Sequence, residues 1–374
     1  MEFIDLTTQF QRLENKIRTR MDQVLRHGRF IMGPEVAEFE EKLAHFIGVN
    51  HAIGVANGTD ALQLALMALE IKPGDRVITT PFSFFATAEV IALIGAIPVF
   101  TDIDQDTFNL SASSLEQTIA DLETRGTPAR AVITVDLFGQ PADYPKISAL
   151  CDKHNLYLIE DAAQGLGGAV GEQKAGSFGT VACTSFFPAK PLGCFGDGGA
   201  VMTQDAKIAN TLMSLRMHGK GTDKYDNVRI GLNSRLDTLQ AAILLEKLAV
   251  FAEECDLRNQ VAQRYHDGLS GIPELALPKV PENMNSSWAQ FTLRCENRDA
   301  LKSHLTAAQI PSAVYYPCPM HLSTAFAGLQ HQTGDFPFAE QASQTVLSIP
   351  MSPYLSEQDQ ERVVQVIRAF FQAD

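Results

Sequence analysis

From about residue 50 the chain alternates short apolar runs with amphipathic stretches, and few folds accept that alternation. Parallel strands need a crossover after each strand, so such a pattern reads as a mostly parallel sheet covered on both faces. Strands are expected at Arg76–Thr80, Ile97–Thr101, Ala131–Val135, Leu156–Glu160, Ala182–Phe187 and Gly199–Thr203. Ala61, Leu62, Ala65, Leu66 and Leu69 recur at helical spacing after Gly58-Thr59-Asp60, and Pro73-Gly74-Asp75 then turns the chain into a strand. A long helix is expected from Ser234 to about Asp267, with no breaker before Gly268. After Pro273 prolines become common (Pro278, Pro281, Pro311, Pro317, Pro319) and the elements shorten. The expected architecture is α/β: a large domain over 26–245 and a small α+β domain over 246–374, joined by residues 1–25.

The 374 residues suffice for a large core and a second lobe. A net charge of −14 argues against nucleic acid or an anionic membrane as partner. An anionic substrate therefore needs a local cationic pocket. The longest nearly uncharged apolar stretch, Val90 to Phe100, falls well short of the roughly 20 residues that cross a bilayer. The acidic start Met1-Glu2-Phe3-Ile4-Asp5 is unlike a basic signal peptide, so a cytoplasmic enzyme is expected. The six cysteines form no CxxC pair, which fits reduced, packed thiols rather than zinc or disulfides. No histidine has metal-ligand spacing, and no metal is expected.

Four stretches carry chemistry. In Thr184-Ser185-Phe186-Phe187-Pro188-Ala189-Lys190 an apolar strand ends in a turn presenting one lysine, and Gly196-Asp197-Gly198-Gly199 follows. A desolvated lysine there can form a Schiff base, although an isolated lysine on a turn also reads as a solvated one. In Leu158-Ile159-Glu160-Asp161-Ala162-Ala163-Gln164, Asp161 stands at the carboxyl edge of the sheet. It could pair with a protonated pyridine nitrogen, and equally could cap the next helix. Asn57-Gly58-Thr59-Asp60 offers amides and a helix dipole to a phosphate, or a plain cap with Thr59 as N-cap. Phe82-Ser83-Phe84-Phe85 supplies aromatics for stacking on a planar group or for core packing.

Together these stretches resemble the DegT/DnrJ/EryC1/StrS sugar aminotransferases, fold type I of the pyridoxal-phosphate enzymes. The resemblance runs from Phe3-Ile4-Asp5-Leu6 through Gly33-Pro34-Glu35-Val36, the motifs above and Asn233-Ser234-Arg235-Leu236-Asp237 to Ser348-Ile349-Pro350-Met351. It implies a mostly parallel mixed sheet of the seven-stranded type and pyridoxal 5'-phosphate as cofactor. It implies that Lys190 holds the cofactor and shuttles protons, that Asp161 pairs with the ring nitrogen, and that Gln164 lies near the ring hydroxyl. Phe84 would stack on the ring, and Gly58, Thr59, Asp60 and Ser185 would hold the phosphate. Asn233 would reach the phosphate of the neighbouring subunit, making the site a property of a homodimer. Arg235, Tyr315 and Tyr316 would face the substrate.

The Phe186–Cys194 segment is most similar to the branch that aminates UDP-2-acetamido-2-deoxy-3-oxo-glucuronate, with glutamate as expected amino donor. That branch implies amino sugar biosynthesis of the kind that feeds lipopolysaccharide O-antigen. Amination of a dTDP-linked 3-keto or UDP-linked 4-keto sugar is the alternative. Tyr315 and Ser352 stand where relatives carry histidine. A related dehydratase would carry histidine in place of Lys190, and a non-catalytic regulator would have lost part of the cofactor set.

Overall fold

The computed structural model describes residues 1–223 and 225–372. Seven strands form the main sheet: β1 (His51–Val55), β2 (Arg76–Thr79), β3 (Ile97–Phe100), β4 (Ala129–Val135), β5 (Tyr157–Asp161), β6 (Val181–Ser185) and β7 (Gly199–Thr203). Their spatial order is β1-β7-β6-β5-β4-β2-β3. Strands β2 to β6 run parallel, and β7 pairs antiparallel with both β6 and β1. The expected α/β fold with a mostly parallel mixed sheet is the observed one. The chain steps from β2 outward to β3, then from β4 through β6 in the other direction. That reversal opens a crevice at the carboxyl ends of β2, β4, β5 and β6.

The six expected strands all form, with ends shifted by two residues at most. β6 stops at Ser185 rather than Phe187, where the Phe187 amide turns back to Ser185 Oγ (3.2 Å) instead of pairing with a neighbouring strand. β1 was not foreseen: His-Ala-Ile-Gly-Val lacks a β-branched run, and its register with β7 supplies the order.

Helices α1 (Leu6–His27), α2 (Pro34–Ile47), α3 (Gly58–Ala68), α4 (Ala86–Leu93), α5 (Ala112–Thr124), α6 (Tyr144–Lys153) and α7 (Ala206–Leu215) lie around this sheet. One face of the sheet buries Leu64, Leu66, Ile133, Ile159 and Leu212 in a single core. The other buries Ile78, Leu115, Val132, Tyr144 and Phe178. A separate core gathers Tyr265, Phe291, Leu293, Leu301, Leu347 and Val363 in the C-terminal part, around the paired strands Phe291–Arg294 and Val346–Ile349.

Helix α8 (Thr238–Leu269) belongs to both regions. Leu244, Leu245 and Phe251 pack with α2, while Val261, Tyr265 and Leu269 enter the C-terminal core. At about 1.5 Å per residue it is roughly 48 Å long. It begins four residues later than expected, because Ser234–Asp237 is held extended. The Ser234 amide donates to Arg216 O (3.0 Å), and Ser234 Oγ accepts from Ala56 N (3.1 Å). Thr238 N donates to Phe30 O (2.9 Å).

Arg216 fastens this arrangement. Its buried guanidinium donates to Gly54 O (2.8 Å) and pairs with Glu40, which also accepts from Gly54 N (2.7 Å). Removing one partner of such a pair strands a desolvated charge. Arg216→Met is expected to lower stability by about 3–5 kcal/mol in urea unfolding. Adding Glu40→Leu should recover part of that loss, leaving the Gly54 amide unpaired.

Candidate active site

The N-terminus of α3 has the form of a cradle that could hold an anion. Asn57, not Thr59, is the cap: its Oδ1 accepts from Asp60 N at 2.8 Å. The Asp60 amide is thereby occupied, while those of Gly58 and Thr59 have no intrahelical acceptor. A Cβ on Gly58 would come within 2.7 Å of Ser185 Cβ. Glycine therefore lets the helix start lie against the end of β6. Gly199 is equally constrained, since a Cβ there would meet the Asn57 carbonyl at 2.5 Å. The segments 56–60, 185, 199 and 234 thus converge at the positive end of a helix dipole.

Asp161 ends β5 and is buried. Its Oδ2 accepts from Thr87 Oγ1 (2.9 Å), which also meets Ser83 Oγ (3.1 Å). Its Oδ1 accepts from Ala163 N (3.2 Å). Burial pushes this carboxyl up, and the Thr87 and Ala163 hydrogen bonds and the Lys190 charge oppose that. Lys190 lies on the turn after β6, its amide donating to Phe187 O (2.8 Å). Burial pulls its ammonium below the ordinary lysine value, with the Asp161 charge opposing. Among the described residues its side chain makes no hydrogen bond.

Gln164 is fixed from three sides. Its Oε1 accepts from Phe138 N (2.8 Å), its Nε2 donates to Tyr316 OH (3.3 Å), and its carbonyl accepts from Ser287 Oγ (2.7 Å). Burial raises the Tyr316 phenol. The Tyr315 ring lies edge-on to Phe3. Phe82 is fully buried in the core, whereas Phe84 is 57% exposed. Ser352 is buried, with its Oγ accepting from Tyr354 N (3.3 Å).

Asn233 is exposed, and its side chain has no hydrogen bond among the described residues. Arg235 is half-buried, and its Nε is buried without a partner. No carboxylate pairs with Arg235 among the described residues, so Asp237 does not neutralise it. Asn57 and Ser83 lie within stretches singled out from the sequence but had no role assigned there, and Thr87 and Phe138 had none either. For Thr87 a signal existed: two hydroxyls four residues apart, where an apolar helix begins.

Among the described residues no group of acids, histidines and cysteines could hold a metal, and no helix is long and apolar enough to cross a membrane. All six cysteines are free.

A lysine, a buried acid and an anion cradle on the carboxyl edge of such a sheet define a pyridoxal-phosphate-dependent transferase. More narrowly, the chain belongs to the DegT/DnrJ/EryC1/StrS aminotransferase family, whose model matches residues 11–368. It is 46% identical to the UDP-2-acetamido-2-deoxy-3-oxo-D-glucuronate aminotransferase of Pseudomonas aeruginosa, over 95% of this chain and 96% of that one. A DegT DnrJ EryC1 StrS aminotransferase from Brucella abortus superposes with a TM-score of 0.96 at 49% identity, over 99% of each chain. The Bacillus subtilis protein NtdA, solved with bound cofactor PMP, matches with a TM-score of 0.89 at 27% identity, over 99% of this chain and 83% of that one. The chain is accordingly an aminotransferase that uses pyridoxal phosphate.

The opposed effects on Lys190 can be measured without cofactor. In apoprotein near neutral pH, Lys190 is expected to be acylated faster than solvent-exposed lysines, read by mass spectrometry across a pH series. Asp161→Asn removes the charge that raises the Lys190 pKa, so its labelling curve should move to lower pH.

Proposed function

We propose that this aminotransferase converts a UDP-linked 3-keto sugar to the 3-amino sugar, with UDP-2-acetamido-2-deoxy-3-oxo-glucuronate as substrate and glutamate as amino donor. The observation that carries the reading is the lowered-pKa Lys190 amine beside buried Asp161, at the same sheet edge as the α3 cradle. Similarity to the Pseudomonas aeruginosa enzyme over nearly the whole chain supports the choice of substrate.

The residues fit pyridoxal phosphate. Its phosphate is matched by the amides of Gly58 and Thr59 and by the hydroxyl of Ser185, which the missing Cβ of Gly58 lets lie against the helix start, with Asp60 in the first turn. Asp161, oriented by Thr87 and Ala163, suits a protonated ring nitrogen. The exposed Phe84 suits stacking, and Gln164 the ring hydroxyl. When bound, the cofactor supplies a carbonyl for the amine and an electron-withdrawing ring. Lys190 Nζ, whose burial favours the neutral amine, accepts a proton from the substrate carbon and returns one as the amine changes hands.

Arg235, with an unpartnered buried Nε and no acid beside it, reads the substrate's anionic end together with Tyr315 and Tyr316. A planar guanidinium suits a carboxylate or phosphate. The exposed Asn233 serves the phosphate of a neighbouring subunit, so the working unit is a homodimer with shared sites. Residues 26–245 form the cofactor-binding domain and 246–374 with 1–25 the smaller one. The enzyme works in the cytoplasm in amino sugar biosynthesis, of the kind that feeds lipopolysaccharide O-antigen.

Lys190→Ala should bind pyridoxal phosphate without the visible band of the wild-type protein and lose several powers of ten in turnover. Near-normal turnover would refute the assignment. Arg235→Ala should raise KM for the uronate by roughly ten- to a hundredfold, and far less for the matching neutral hexose derivative. Equal effects on both would remove Arg235 from carboxylate recognition. Lys190→Ala and Asn233→Ala proteins, dissociated and reassociated together, should regain activity in mixed dimers. A monomer in sedimentation would contradict the shared site. An amination panel of UDP- and dTDP-linked 3-keto and 4-keto sugars tests the substrate, and preference for a dTDP sugar would overturn it.

A further inference from the structure

Behind the sheet from Asp161 lies a pair of buried acids. Successive side chains on a strand point to opposite faces, so Glu160 points away from Asp161, into the core that holds Tyr144 and Phe178. Asp136, just past the end of β4, and Glu160 are both fully buried. Their carboxyl groups face each other within hydrogen-bond reach. The titratable groups around them are Tyr144 on α6, Asp161 on β5 and Cys183 on β6. No cation faces either carboxyl among the described residues.

The donors can be counted. Glu160 Oε1 accepts from Gly176 N (2.6 Å) and Oε2 from Phe178 N (2.8 Å). Asp136 Oδ1 accepts from Ala142 N (3.1 Å) and Tyr144 OH (2.8 Å). Among the described residues Asp136 Oδ2 meets no N–H or O–H donor. Two carboxylates in contact inside an apolar core cannot both ionise. One proton on either group supplies the O–H that their contact lacks.

We propose that Asp136 and Glu160 share one proton and act together as a positioning pair for Gln164, which rests on the reading of Gln164 as a cofactor contact. Asp136 supports both neighbours of that side chain. It opens the turn in which Gly139 N donates to Asp136 O (3.2 Å) and Phe138 N donates to Gln164 Oε1 (2.8 Å). Gly165, next to Gln164, lies directly on Asp136: a Cβ there would come within 2.2 Å of Oδ2. Loss of the shared proton drives the two carboxylates apart, and Asp136 has Gly165 in its way.

Burial pushes the Asp136 carboxyl up to about 7. An acid whose folded pKa exceeds its unfolded value holds more protons when folded. Stability therefore falls as pH rises from about 4, the ordinary carboxyl value, to about 7. One retained proton corresponds to about a tenfold change in the unfolding constant per pH unit.

Urea unfolding of the apoprotein across that window tests the shared proton without any substrate, so its failure is separable from failure of the proposed reaction. Asp136→Asn can place an amide N–H at the Oδ2 position, which no other donor fills, and should remove one proton's worth of the slope while staying folded. An unchanged slope would overturn the pair. Tyr144→Phe removes a donor to ionised Asp136 and should move the upper end of the window to higher pH, and an unmoved window would overturn it too. In the holoprotein, Asp136→Ala should shift the visible cofactor band and lower kcat roughly ten- to a hundredfold with little change in amino-donor KM. Asp136→Asn should restore both. A wild-type band and kcat in Asp136→Ala would overturn the positioning role.

Discussion

A carboxylate placed in a protein interior is costly unless charge and hydrogen bonds surround it, and at Asp161 each compensating contact comes from a different part of the chain. Thr87 stands on the helix after β2, Ala163 on the turn after β5, and Lys190 on the turn after β6. These parts meet only if the parallel strands are ordered as they are. The sheet order and the acid's environment are therefore one constraint.

The same dependence runs outward to α8. The extended segment at its base bonds to Ala56, beside the α3 cradle, and to Arg216, which is bound to Gly54 and Glu40. The far half of the helix lies in the C-terminal core. The cradle, the Arg235 segment and the C-terminal part are thereby held on one rod, so packing changes far from the site bear on its geometry.

Most of the parallel sheet was legible because buried parallel strands read as largely apolar runs, as Ala131–Val135 of β4 does. Lys190, Asp161 and the Gly58–Asp60 stretch were legible as motifs, since each sits where a strand ends or a helix begins. What was not legible depends on contacts distant in sequence. β1 exists because β7 pairs with it, and α8 starts late because Ser234 bonds across to Ala56. Thr59 read as the cap of α3, whereas the geometry puts Asn57 there. Asp136 and Glu160 come together only through the register of β4 on β5, which pairs Thr134 with Glu160.

The α3 cradle is made of backbone amides, with Ser185 packed where a side chain at Gly58 would stand. Peptide dipoles neither titrate near neutral pH nor swing between rotamers, so this complement to an anion stays constant where lysines or histidines would vary with acidity. Such a feature is nearly invisible to alanine scanning, which removes side chains and here has none to remove. It is exposed instead by substitutions that add atoms. In evolutionary terms, Gly58 and Ser185 are bound to each other by volume: any lineage that enlarges one must shrink or displace the other.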